Sequence, residues 1–162
     1  MKEPERVRDV VCGMTVEADC LAITYRGAHY AFCSAQCRER FTANPHLYIG
    51  LPGQPAPKQL GQTVLKRRHF HVDRTLSAGQ AQSVCDAVGA LMGVNTVEIE
   101  GVEITVTYDL LQATAEQIEQ ALEAAGAQLG SGWAERLGRG FTHYTEECEI
   151  GNLQVGPPSG CH

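Results

Sequence analysis

"NTVEIEGVEITVTY", residues 95–108, alternates apolar and polar side chains on both sides of Glu100-Gly101. Alternation with period two around a two-residue turn predicts a β-hairpin with one buried face. Upstream, Ser77 and Gln80 form a capping-box pair that opens a helix, with Val84, Val88, Leu91 and Met92 along one side. Downstream, Thr114 and Gln117 open a second helix whose apolar stripe is Ile118, Leu122 and Ala125. "RHFHVDR", residues 68–74, is a strand before the first helix, and residues 127–133 read as a last strand. The order βαββαβ is that of the ferredoxin-like fold, so the fold class is α+β.

Working outward from this core, "GLPGQPAPKQLGQ", residues 50–62, holds three prolines and three glycines and reads as a semi-rigid linker. The chain thus divides into a small Cys-rich module (1–49), a linker (50–66), a ferredoxin-like domain (67–137) and a tail (138–162). In the first module "CLAITYRGAHYAFC" turns at Arg26-Gly27, so it predicts a hairpin. Ser34 stands at an N-cap position, and "AQCRERFTA" follows as a helix ending near Asn44-Pro45. Cys33 then closes a strand and Cys37 is the third helical residue. Both thiols face a helix N-terminus, whose unpaired N–H groups favour the thiolate. The tail has no hydrophobic period and is expected to be mobile or to lie on the second module through Phe141 and Tyr144. It carries His143, Cys148, Cys161 and His162.

The composition bounds the function. Of 162 residues, 43% are hydrophobic and 20% charged, which fits a folded globular chain. The start, "MKEPERVRDVV", is charged throughout, unlike a secretory leader, and no uncharged run is long enough to span a bilayer. A cytoplasmic protein without membrane insertion is expected. Seven cysteines in a reduced compartment favour metal binding or thiol reactivity over a disulfide framework. The net charge is −6, and residues 73–162 carry thirteen acidic and three basic side chains. Nucleic-acid binding, which needs a continuous basic footprint, is not expected. Phosphate-loop, Gly-x-Ser-x-Gly and His-Glu-x-x-His motifs are absent from the sequence, so no enzyme is expected.

Cys33 and Cys37, three residues apart at a strand-to-helix corner, converge on one soft cation, and "VCGM" adds Cys12 and Met14 from an upstream loop. Three thiolates, or two with a thioether, suit Cu(I), whereas four N/S donors suit Zn(II). Burial of these cysteines as small hydrophobes is the plainer alternative. His69 and His71 share one strand face and either chelate a metal or face solvent. Cys148, Cys161 and His162 are further ligand candidates at the chain end.

"VCGMTV" followed by "ITYRGAHYAFCSAQCRERFTANPHLYI" resembles the YHS domain, a small treble-clef-like metal-binding module related to the TRASH domain. The shared positions are Cys12-Gly13-Met14, Tyr25, Gly27, Tyr30, Phe32-Cys33-Ser34, Cys37, Phe41 and Asn44-Pro45. Asp9-Val10-Val11 departs from the usual Asp-Pro-Val. The resemblance implies Cu(I), Ag(I) or Zn(II) at Cys12, Cys33 and Cys37, with Met14 as a weak ligand or lid. Residues 68–134 resemble, more distantly, the heavy-metal-associated domain, but lack its Met-x-Cys-x-x-Cys loop. "DRTLSAGQAQSVC" stands there instead, and Cys85, inside the helix beside Val88 and Met92, reads as core. Together these imply a copper-handling protein whose partners are a metal-transporting ATPase or another copper-handling protein, or a second copy in a homodimer. A scaffold with a structural zinc and a thiol redox sensor are the alternative readings.

Overall fold

Arg26 and Gly27 both take positive φ, 48° and 79°, the pair of left-handed residues that a type I′ hairpin turn requires. That turn joins β3 (Ile23–Tyr25) to β4 (Ala28–Tyr30) in antiparallel register. Before it, β1 (Arg6–Arg8) pairs with β2 (Thr15–Glu17) around the loop that carries Cys12. After it come α1 (Ala35–Ala43) and the short α2 (His46–Ile49). The computed structural model describes residues 3–155, which fall into two compact units: residues up to Gln62 with 151–155, and Thr63–Ile150.

The first unit is built around Phe41. Its ring lies 4.7 Å from Tyr30, 5.3 Å from Phe32, 5.7 Å from Tyr25 and 6.3 Å from Tyr48 between centroids, in edge or tilted contacts. Val11, Phe32, Cys37, Phe41 and Leu47 are fully buried. The 50–62 stretch, expected as a linker, is partly folded onto this unit: the Lys58 N–H donates to Leu47 O at 3.1 Å and Ala56 is buried.

In the second unit β5 (Leu65–His71), β6 (Val94–Glu100) and β7 (Glu103–Asp109) form a sheet in the order β5-β7-β6, all antiparallel. The helices α3 (Ala78–Gly89) and α4 (Ala115–Ala124) each open with the full capping box that the sequence predicts, at Ser77/Gln80 and Thr114/Gln117. Val84, Val88, Ile118 and Leu122 meet Phe70, Ile104, Val106 and Tyr108 in the core. The expected last strand is reduced to a bridge, Val72↔Leu129, flanked by the Asp73 N–H donating to Gln128 O and the Gly130 N–H to His71 O. It still places residue 129 beside β5, so the βαββαβ order of a ferredoxin-like unit is kept.

Two expectations fail here. Residues expected as an aperiodic tail form a long helix, α5 (Trp133–Val155). Phe141 and Tyr144, expected to anchor it, are 67% and 63% exposed, while Glu146 and Ile150 on the opposite side are buried. The anchor is polar: Glu146 Oε2 accepts the backbone N–H of Ala115 at 2.9 Å, Oε1 accepts the Tyr108 hydroxyl, and Lys66 Nζ pairs with Glu149 at 2.6 Å. Gly138, Gly140 and Gly151 argue locally against a helix here, and the tertiary anchors override them. Cys85, expected in the core, is only half-buried.

Candidate metal centre

Ser34 caps α1 in extended backbone conformation, and its Oγ accepts the Cys37 N–H at 3.3 Å. The cap fixes where the helix begins and so turns Cys37, fully buried, back toward Cys33. The Cys33 and Cys37 sulfurs are 3.6 Å apart, and the Cys12 sulfur is 3.4 Å from that of Cys33. Cys12 arrives on the β1–β2 loop, where Gly13 takes φ +81°, a conformation that strains any side chain. The Arg8 Nε–H donates to Gly13 O at 3.0 Å and steadies that loop.

The residue that joins the pieces is Asp9, which is fully buried. Its Oδ1 accepts the N–H of Val11 at 2.8 Å and of Cys12 at 3.4 Å, and its Oδ2 accepts the Cys33 N–H at 2.8 Å. One carboxylate thus ties the Cys12 loop to the Cys33 corner. In the sequence Asp9 stands out only as part of the YHS-like motif. An Asp whose side chain bonds the N–H groups two and three residues on is an Asx-type turn, and that local signal was available in "DVVC".

Asp9, Cys12, Cys33 and Cys37 each bring a ligand atom into a group whose members all lie within 4.8 Å of one another. Cys148 is exposed on α5 and is not among these four. Cys20 is half-buried and also outside the group. Met14 is 49% exposed, and its carbonyl accepts the Asp9 N–H at 2.8 Å. Cys161 and His162 lie outside the described residues. Residues 7–51 match the YHS domain. The YHS match covers the whole four-residue group. No curated protein sequence matches the chain. The solution structure of apo-CopP from Helicobacter pylori aligns with 40% of this chain and 100% of that one, at 22% identity and a TM-score of 0.38.

The electrostatics of the YHS site reverse one expectation. Cys12 and Cys37 are not pushed toward thiolate. Burial raises Cys12 to about 11, with the Cys33 thiol and the Asp9 charge adding to it and a hydrogen bond from the Met14 backbone opposing it. Cys37 rises further, again chiefly by burial, against the lowering effect of Ser34. The helix N-terminus does not compensate because the Cys37 N–H is donated to Ser34 Oγ. A metal entering here must displace protons, so its affinity falls as pH falls. For the metal-free protein the sign is opposite. A thiol raised on folding stabilises the fold below its unfolded value of 9.0 and loses that effect as pH rises through about 11. The urea midpoint of the first unit is expected to fall between pH 8 and 10.5, and to fall less in Cys12→Ala. Equal slopes in the two proteins would refute this.

Proposed function

We propose that this chain is a cytosolic protein that binds Cu(I) at Cys12, Cys33 and Cys37, in copper trafficking, buffering or resistance. The observation that carries the reading is the donor set. Both Asp9 oxygens are engaged by backbone N–H groups, so the free donors of the group are three sulfurs. A three-thiolate set suits a soft monovalent ion that tolerates two or three ligands, with Ag(I) a chemical equivalent. The half-exposed Cys12 and Cys33 are the sulfurs an acceptor's thiolates reach first, and the buried Cys37 is the last to let go. Copper is cargo in this scheme, passed by thiolate exchange to a metal-transporting ATPase or another copper-handling protein. The acidic second unit, which resembles a heavy-metal-associated domain without its Cys-x-x-Cys, serves docking or homodimer formation. No enzymatic role is proposed.

The test is an anaerobic Cu(I) titration of the reduced protein against a chromophoric chelator. Wild type is expected to take one equivalent and to hold it against a weak chelator. Cys33→Ser, which removes the sulfur contacting both others, is expected to weaken binding by well over about tenfold. Loss of the ion to a weak chelator, or unchanged affinity in Cys33→Ser, would overturn the proposal.

One observation favours a second reading. Asp9 lies within the same 4.8 Å group, and a three-sulfur, one-oxygen set of four suits tetrahedral Zn(II). Zinc at one per chain that resists chelation would make the site structural and the protein a scaffold. A thiol redox role predicts a reversible Cys33–Cys37 disulfide on mild oxidation, with sulfurs 3.6 Å apart, and Cys12–Cys33 at 3.4 Å is a competing pair.

A further inference from the structure

His69 and His71 lie on the face of β5 opposite buried Phe70, and both imidazoles stand out from the sheet, with side chains 51% and 55% exposed. Cross-strand register sets Glu103 of β7 directly beside His71, and Thr105 beside His69. The Glu103 side chain divides its two oxygens between the rings. Oε1 is 3.1 Å from His69 Nδ1, and Oε2 is 3.4 Å from His71 Nε2. Thr105 Oγ1 also meets His69 Nδ1, at 3.0 Å. On the far side of β7, Glu100 is in register with Glu103, so a second carboxylate stands in the same row. Arg67, on the same face, is paired with Glu98 at 3.3 Å.

We propose that His69, His71 and Glu103 form a second metal site, for a borderline divalent cation of the Zn(II) type, on the open face of this sheet. Two imidazoles and a carboxylate are the donor set for such ions and a poor one for Cu(I), so the two units would be chemically distinct in what they take. The spacing fits. Alternate strand residues stand roughly 6.6 Å apart along one face, within reach of two rings turned toward each other. Nitrogen–oxygen separations of 3.1 and 3.4 Å bring both rings onto the one carboxylate. In the metal-free chain the two rings contact different oxygens and do not converge on one point, so loading requires the rings to rotate. Both are half-exposed, and an exposed ion pair holds them only weakly. The pairing of β5 with β7 fixes the strand positions from which the donors approach. The site does not depend on the thiol centre, and it stands or falls separately from the copper proposal.

The test uses Zn(II) alone, added to the reduced, ¹⁵N-labelled full chain, with long-range ¹H–¹⁵N NMR of the imidazoles. The expected result is movement of the His69 and His71 ring nitrogens to metal-bound shifts. Cys33→Ser should leave this movement intact. His71→Gln and Glu103→Gln should each weaken the same event by at least about tenfold. All three positions in the site are exposed or half-exposed, and circular dichroism checks that the variants fold. Unmoved His69 and His71 resonances at saturating Zn(II) in wild type would overturn the proposal whatever the variants do. So would unchanged affinity in His71→Gln.

Discussion

Asp9→Asn is expected to weaken both the fold of the first unit and its metal site. The asparagine keeps one oxygen acceptor and places an NH₂ where the second oxygen was. Either the Cys33 N–H or the pair at Val11 and Cys12 then faces a donor inside a fully buried pocket. Leaving buried N–H groups unpaired costs about 1–3 kcal/mol each, and a bond to a charged acceptor is worth more than a neutral one. A loss on the order of 2–5 kcal/mol is expected, a large share of what a unit of this size holds in reserve. Urea unfolding of the metal-free variant measures it, with the transition of the second unit as internal reference. Copper affinity is expected to fall with it, because the Cys12 loop is no longer tied to the Cys33 corner. Saturating Cu(I) should restore part of the lost stability, since an ion that binds only the folded form pulls the equilibrium back. Wild-type stability in Asp9→Asn would mean that the carboxylate is dispensable and that its hydrogen bonds are not the tie described above.

Glu146→Ala is expected to release α5 from the second unit with an effect of similar size. The side chain is 2% exposed and serves three groups at once. It takes the Tyr108 hydroxyl and the first free N–H of α4, and it neutralises Arg68, whose Nε stands 3.8 Å off, a Coulomb contact and not a hydrogen bond. Its presence, with burial, holds the Tyr108 phenol far above its ordinary range. Alanine removes the acceptor of a buried hydroxyl and of a buried N–H, takes the neighbouring charge away from Arg68, and leaves a cavity among them. Two buried polar groups left without their acceptor cost about 1–3 kcal/mol each, so a loss on the order of 2–5 kcal/mol is expected. Glu146→Gln, which keeps one acceptor for the Ala115 N–H or for Tyr108, should lose less. Thermal denaturation and amide exchange of α4 and α5 together check this. Protection of α5 unchanged in Glu146→Ala would show that the helix is held by Ile150 and its other apolar contacts.

Much of the second unit was legible from local pattern. The hairpin, whose turn falls at Gly101-Val102, one residue later than expected, both capping boxes and the apolar stripes are short-range signals, written within a few residues and decided by backbone geometry. The approach of Cys37 to Cys33 was likewise legible, because their spacing and a capping serine are local facts. What failed was of two kinds. The last strand shrank to one bridge because a strand's length depends on what its neighbour offers. The helix after Trp133 was missed because Gly138, Gly140 and Gly151 argue locally against a helix, and its inward side is fixed in part by Glu146 and Glu149.

By itself, then, the sequence determined the α+β class, the hairpins and caps, and the pair of thiols at a helix start. It could not determine the protonation of those thiols, the role of Asp9 or the meeting of His69 and His71 with Glu103. Each of these depends on groups distant in the chain: Asp9 on Cys33, and β5 on β7. Burial, which sets the Cys12 and Cys37 thiols above their free value, is a property of the packed chain and not of any segment. Local chemistry chose the donors, and tertiary structure decided which of them meet and in what state of charge.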